Sequence, residues 1–126
     1  KEATEIIDKC RAKLEQKEYR AAELYYNMAQ YRAAALAFTN LTNNYPESAK
    51  GEEYKLKTVK AYYKFAKLSY EDKQIERYEK VISEYQDFID RYPESKLLKE
   101  AESISKQSEN NIKAIKYEQT QTAAKR

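Results

Sequence analysis

Apolar residues recur every three or four positions almost throughout the chain, the spacing of amphipathic helices. Ala3, Ile6, Ile7, Cys10 and Leu14 predict a first helix over about residues 2–16. Tyr19, Ala22, Tyr25, Tyr26 and Ala29 predict a second over about 18–29, and Ala34, Ala37, Phe38, Leu41 and Tyr45 a third over about 31–44. Leu56, Val59, Tyr62, Tyr63 and Ala66 mark a fourth over about 49–69. The fifth is the clearest, with Ile75, Tyr78, Val81, Ile82, Tyr85, Phe88, Ile89 and Tyr92 keeping one face apolar. A sixth follows Pro93 with Leu97, Ala101, Ile104, Ile112 and Ile115, and its polar tail, residues 118–126, is expected to fray beyond residue 117.

The chain has two prolines, and both stand in the same tetrapeptide, Tyr-Pro-Glu-Ser, at 45–48 and again at 92–95. Phe38 and Leu41 precede the first copy at the spacing with which Tyr85 and Phe88 precede the second, so the chain contains a repeat of 47 residues. Proline disfavours helix at the residue before it and removes a backbone donor, so one helix stops near Tyr45 and another near Tyr92. Ser48 and Ser95 are placed to cap the helices that follow, with Glu52 and Glu53 near the positive end of the fourth. Short connections near residues 17, 30 and 70–74 make neighbouring helices antiparallel. The expected fold class is all-α, in a single domain over residues 1–117, and a lone glycine leaves strands and hairpins little to work with.

Composition narrows the function. Hydrophobic residues reach 41% against 36% charged, enough for a core despite the polar surface. Much of that core is ring: thirteen tyrosines and three phenylalanines, with Tyr25, Phe38, Tyr85 and Phe88 at the centres of their stripes and expected to be buried. The net charge of +3 comes from 24 basic and 21 acidic residues in alternation, so no basic block argues for nucleic acid. No stretch approaches the ~20 apolar residues of a membrane span. The only cysteine, Cys10, sits in the first helical stripe and reads as a small buried apolar group. With no histidine, one cysteine and no glycine-rich loop, no general base poised at neutral pH, zinc ligand set or phosphate cradle can be assembled. The expectation is a non-enzyme without cofactors, whose business is binding other proteins.

Anchored on Pro46, residues Tyr25, Ala34 and Phe38 fall at the offsets of the tetratricopeptide pattern, with Ala22 at its small-residue position. Anchored on Pro93, Val81 and Tyr85 fit, whereas Asp72 stands where the first-helix tyrosine belongs, implying a lengthened first helix and a longer turn around Ser69–Gln74. The chain thus resembles a tetratricopeptide array, which implies about six helices as antiparallel hairpins in a right-handed superhelix. Such arrays bind partners in a concave groove lined by first-helix residues off the core stripe. Those offsets pick out Tyr19, Glu23, Tyr26 and Asn27 in one unit, and Lys50, Glu53, Lys57 and Lys60, with Lys64 one turn on, in the next. Glu53, Lys57, Lys60 and Lys64 share a helix face, a basic stripe suited to an acidic partner segment.

A closer resemblance lies in residues 11–48, RAKLEQKEYRAAELYYNMAQYRAAALAFTNLTNNYPES, which look like the BamD family of outer-membrane assembly lipoproteins. Its most specific part is Glu18, Tyr19, Ala22, Glu23 and Tyr25, and the likeness extends over roughly residues 1–100. It implies a carboxy-terminal part of a longer scaffold at the periplasmic face of the bacterial outer membrane. The partners implied are the barrel-inserting component and accessory lipoproteins, with membrane contact only through a lipid anchor outside this chain. Met28 stands where the family often has an arginine tied to partner contact, and Cys10, inside a helical stripe, does not read as the acylated cysteine. The turn bearing Asn27, Met28, Tyr31 and Arg32 is the expected contact, adaptable and ring-bearing as interfaces tend to be. An unrelated tetratricopeptide adaptor that takes a peptide in its groove is the second reading. Ile6 and Ile7, side by side, leave a flank of the first helix bare and open to weak self-association.

Overall fold

The computed structural model describes residues 1–125 and contains five helices among them: α1 (Glu2–Asn27), α2 (Tyr31–Asn44), α3 (Gly51–Lys67), α4 (Glu71–Arg91) and α5 (Leu98–Ala124). Each helix packs on its sequence neighbour, and α3 also touches α5, so odd-numbered helices share one side and even-numbered helices the other. The arrangement is the tetratricopeptide-like stack of hairpins that the repeat predicts.

One helix replaces the expected first pair. Residues Gln16, Lys17 and Glu18 contain neither glycine, proline nor a capping residue, and all favour helix, so α1 runs straight through the expected break. This reassigns the stripe around Cys10: Cys10 is exposed, as are Ile6, Ile7 and Leu14, because residues 1–14 of the long α1 are exposed on every face. Tyr25 is 43% exposed, contrary to the expectation of burial. Its neighbour Tyr26 takes the inward position beside fully buried Ala22. Tyr85 is only half-buried, while Phe38 and Phe88 are fully buried as predicted. At the other end α5 continues to Ala124, past the point where fraying was expected.

α1 ends in a tight turn that needs a left-handed residue. The amide of Gln30 donates to the carbonyl of Tyr25 at 2.8 Å and that of Ala29 to Tyr26 at 3.0 Å, the paired bonds of a Schellman cap. Ala29 sits at the left-handed position with φ 61°, where a Cβ is costly and glycine is preferred.

Both proline turns work alike, with a correction to the caps. α3 and α5 begin at Gly51 and Leu98, and neither start receives a side-chain cap. Ser48 Oγ instead accepts from the Lys50 amide and Ser95 Oγ from the Leu97 amide, each at 3.1 Å, closing the turn ahead of the helix. The first turn is pinned to α1: Arg11 Nε donates to Glu47 Oε1 at 2.9 Å, and its guanidinium lies 4.7 Å over the Tyr45 ring. Glu15 accepts hydrogen bonds from the hydroxyls of Ser48 and Tyr54, both at 2.5 Å, tying α1 to α3. The second turn returns to the start of α3. A Cβ on Gly51, the only glycine, would stand 2.2 Å from the Tyr92 hydroxyl, so any side chain there has to push the Tyr92 ring aside.

The core divides between the hairpins. Ala22, Ala34, Phe38, Leu41 and Tyr54 fill the first space, Leu56, Val59, Val81, Phe88 and Ala101 the second, and Ala66, Tyr78, Ile112 and Ile115 the far end. One charge is buried among these layers. The Lys55 side chain is 7% exposed, and its ammonium reaches Glu84 at 2.6 Å and Asp87 at 2.5 Å. Lys80 and Arg91 in turn pair with these carboxylates, each at 3.1 Å. Burial works against the charge of Asp87, but the hydrogen bond from Lys55 and the nearby cations outweigh it and hold its pKa below the usual carboxylate value.

Two substitutions test these accounts. Ala29→Gly is expected to stabilise the fold by about 0.5–1 kcal/mol in denaturant unfolding, and a loss of stability would mean that the turn is not left-handed. Lys55→Met should cost about 3 kcal/mol, because Glu84 and Asp87 lose the ammonium between them and keep only Lys80 and Arg91, and adding Glu84→Leu should restore part of it. Additive losses in the pair would show that the two side chains do not depend on each other.

Candidate partner-binding groove

A lysine-rich helix meets its neighbours at the groove. In α3, Glu53, Leu56, Lys57 and Lys60 recur at three- and four-residue intervals, so they lie along one side of the helix. Opposite them α1 presents Glu23, Tyr26 and Asn27, and Leu97 closes the end from the turn before α5. These residues, with Phe38 at the base, enclose an open cleft of about 300 Å³. Phe38, Leu56 and Leu97 give it an apolar floor, while carboxylates, lysines, a phenol and an amide form the rim. A second recess adjoins it along α1, sharing Glu23 and reaching Tyr19, Glu15, Ser48 and Tyr54.

The rim is electrostatically paired. Lys57 Nζ lies 3.5 Å from Glu23 Oε2 and above two rings, 5.2 Å from the Tyr19 centroid and 5.9 Å from that of Phe38. The Tyr19 hydroxyl donates to the same Glu23 oxygen at 2.9 Å. Partial burial opposes the charge on Lys57, yet hydrogen bonding with Tyr19 and the nearby Glu23 prevail and raise its pKa. Lys60 Nζ pairs with Glu100 Oε1 of α5 at 2.8 Å. The expected basic stripe is therefore neutralised along most of its length by carboxylates from α1 and α5. Lys64, in the last turn of α3, is exposed and outside the cleft.

The structure brings Glu23, Tyr26, Asn27, Lys57 and Lys60 together around one groove. It divides the turn expected to act as one contact surface. Asn27 ends α1 on the groove side, and the Tyr31 ring packs edge-on against Tyr26 with centroids 5.3 Å apart. Burial, then Tyr31, raises the Tyr26 phenol above its ordinary pKa. Met28 is 61% exposed. Arg32 lines a different recess with Tyr62, Phe65, Glu76 and Lys80, because one residue beyond Tyr31 the helix has turned away.

Sequence reasoning missed the floor. Phe38 and Leu56 read as core, and both do double duty at the base of the cleft. Leu97 carried a signal: it stands 47 residues after Lys50, which the first-helix offsets had assigned to the groove. Among the described residues, no group of three or more histidine, cysteine or carboxylate side chains is placed to hold a metal ion. No described helix is long and apolar enough to cross a membrane.

Residues 18–48 match the tetratricopeptide-repeat family. The matched segment runs from the last third of α1 through α2 to the first proline turn, and holds Ala22, Ala34, Phe38 and Pro46. No curated protein matches the chain. The repeat supports a general role as a protein-interaction scaffold, since tetratricopeptide modules are typically non-catalytic and bind other proteins.

Phe38 links the repeat to the groove, so its truncation is informative. Phe38→Ala is expected to lower unfolding free energy by about 3–5 kcal/mol. A loss below about 1 kcal/mol would show that the ring is not the packed centre of the first hairpin.

Proposed function

We propose that this chain is a BamD-like scaffold, acting in the assembly of β-barrel proteins at the periplasmic face of the bacterial outer membrane. Two things support the reading: the tetratricopeptide match over 18–48, and the likeness of residues 11–48 to that family. The observation that carries the binding role is the groove, with its apolar floor of Phe38, Leu56 and Leu97 inside a charged rim. Its partner is a periplasmic domain of the barrel-inserting component, which lays an apolar side chain on that floor. The paired rim favours a partner segment of mixed charge over an acidic one, because an acidic segment has to displace Glu23 and Glu100 from their lysines.

The same floor also suits the second reading, a general adaptor that captures an extended peptide in the groove. Calorimetry with the purified periplasmic domains of the barrel-inserting component separates the two. Tyr26→Ala and Lys60→Glu are expected to weaken binding by at least about tenfold, while Arg32→Glu leaves it within about twofold. Circular dichroism of each variant confirms the fold. No binding by the wild type would sink the outer-membrane reading and favour the adaptor. Binding lost with Arg32→Glu alone would move the contact to the α2 side.

A further inference from the structure

The outer face of α1, away from the groove, carries an exposed apolar stripe. Ala22 is buried, and Glu15, Tyr19 and Tyr26 point with it towards α2 and α3. On the opposite face, Ile7, Cys10, Leu14, Lys17, Ala21 and Leu24 alternate by three and four residues. That is the 3.5-residue period of a coiled-coil seam, sustained over more than two heptads with one polar position at Lys17. All six are exposed, and the large ones strongly so: Ile7 64%, Leu14 54% and Leu24 57%. An exposed apolar stripe of this length, broken only at Lys17, is the kind of surface that interfaces use. The other end of the stack differs, since the outer face of α5 presents Lys99, Glu102, Ser103 and Lys106.

The charges beside the seam say what fits it. One edge carries Lys9, Lys13 and Arg20, all exposed, with Glu2 at its amino end. On the other edge Arg11 is held by Glu47, and Glu18 is half-buried near the Tyr45 ring. A second copy fits poorly. Parallel and in register, it sets Lys17 against Lys17; antiparallel about the middle of the seam, it sets Lys13 against Arg20. Like charges so placed disfavour self-pairing, which turns the expectation of self-association at Ile6 and Ile7 towards a different partner.

We propose that the outer face of α1 docks an amphipathic helix of a partner protein, apolar along a 3.5-residue stripe and acidic along one flank. The apolar stripe covers Ile7, Leu14 and Leu24, and the acidic flank faces Lys13, Lys17 and Arg20. This surface is separate from the groove, so it stands or falls independently of the outer-membrane reading.

The test uses the chain with two synthetic heptad peptides that share an Ile/Leu seam, one flanked by glutamates and the other by lysines. Fluorescence anisotropy is expected to show saturable binding of the glutamate peptide, weakening with salt, and binding of the lysine peptide at least about tenfold weaker. Leu14→Gln with Leu24→Gln should abolish binding. Both positions are exposed, so the circular dichroism spectrum should not change. Lys60→Glu, in the groove, should leave peptide binding intact. Equal binding of both peptides, no binding of either, or binding indifferent to the double substitution would overturn the proposal. Sedimentation showing dimers that the double substitution dissolves would assign the seam to a second copy instead. A longer form of the chain that folds normally but refuses the peptide would assign the seam to the chain's own additional residues.

Discussion

A helix with five lysines lies at the centre of this fold, and the rest of the molecule is arranged to tolerate it. α3 contacts α2, α4 and α5 and exchanges side-chain bonds with α1, so few of its lysines can simply project into water. Lys55 is enclosed, and a buried ammonium without partners is prohibitively expensive. α4 answers with Glu84 and Asp87 one turn apart, each braced by a further cation. Glu23 from α1 and Glu100 from α5 answer Lys57 and Lys60. Lys55, Lys57 and Lys60 are neutralised by carboxylates of other helices, so each of those ion pairs is a statement about where a neighbour must be.

That arrangement shapes the groove. A concave surface in a helical stack opens or closes as its first helices tilt against each other, and here both sides of α3 are tied by ion pairs at the groove rim. Partly exposed pairs of this sort contribute little to stability, on the order of 1 kcal/mol or less. Their larger effect is on shape, because they define the width at which the apolar floor is presented. A partner that offers its own charges can exchange with them at small net cost, which suits reversible adhesion.

Much of this was legible in the sequence, and the failures have physical causes. The two proline turns, α2 and the burial of Phe38 and Phe88 follow from local chemistry: a missing donor, a restricted residue before it, and a ring at the centre of a stripe. The break expected near residue 17 does not form, because a change in apolar stripe ends a helix only where some residue opposes it, and none does here. Cys10 is exposed on the continuous helix that results, and Tyr25 is exposed for a separate reason, because its neighbour Tyr26 takes the inward position with Tyr19 and Ala22. The groove residues on first helices emerged from repeat offsets, but their charges did not, because Lys57 meets Glu23 and Lys60 meets Glu100 across 34 and 40 positions of chain. Lys55 was invisible for the same reason; in the sequence it is one more lysine on a polar helix.

The contact between Gly51 and Tyr92 bears on how such a chain can change over time. Repeat arrays are often treated as beads that can be duplicated, lost or exchanged, because each unit touches only its neighbours. Here the residue that restarts the chain after the first turn is fitted to the ring that ends the second, at a distance that leaves no space for a methyl group. A unit cut out between the two turns, or a copy inserted there, arrives with its own residue in place of the glycine or its own residue in place of the tyrosine. Such an event is accommodated only if the tyrosine ring swings aside or the two positions change together. The 47-residue spacing thus carries a contact between its two turns, and a change at Gly51 asks the Tyr92 ring to move.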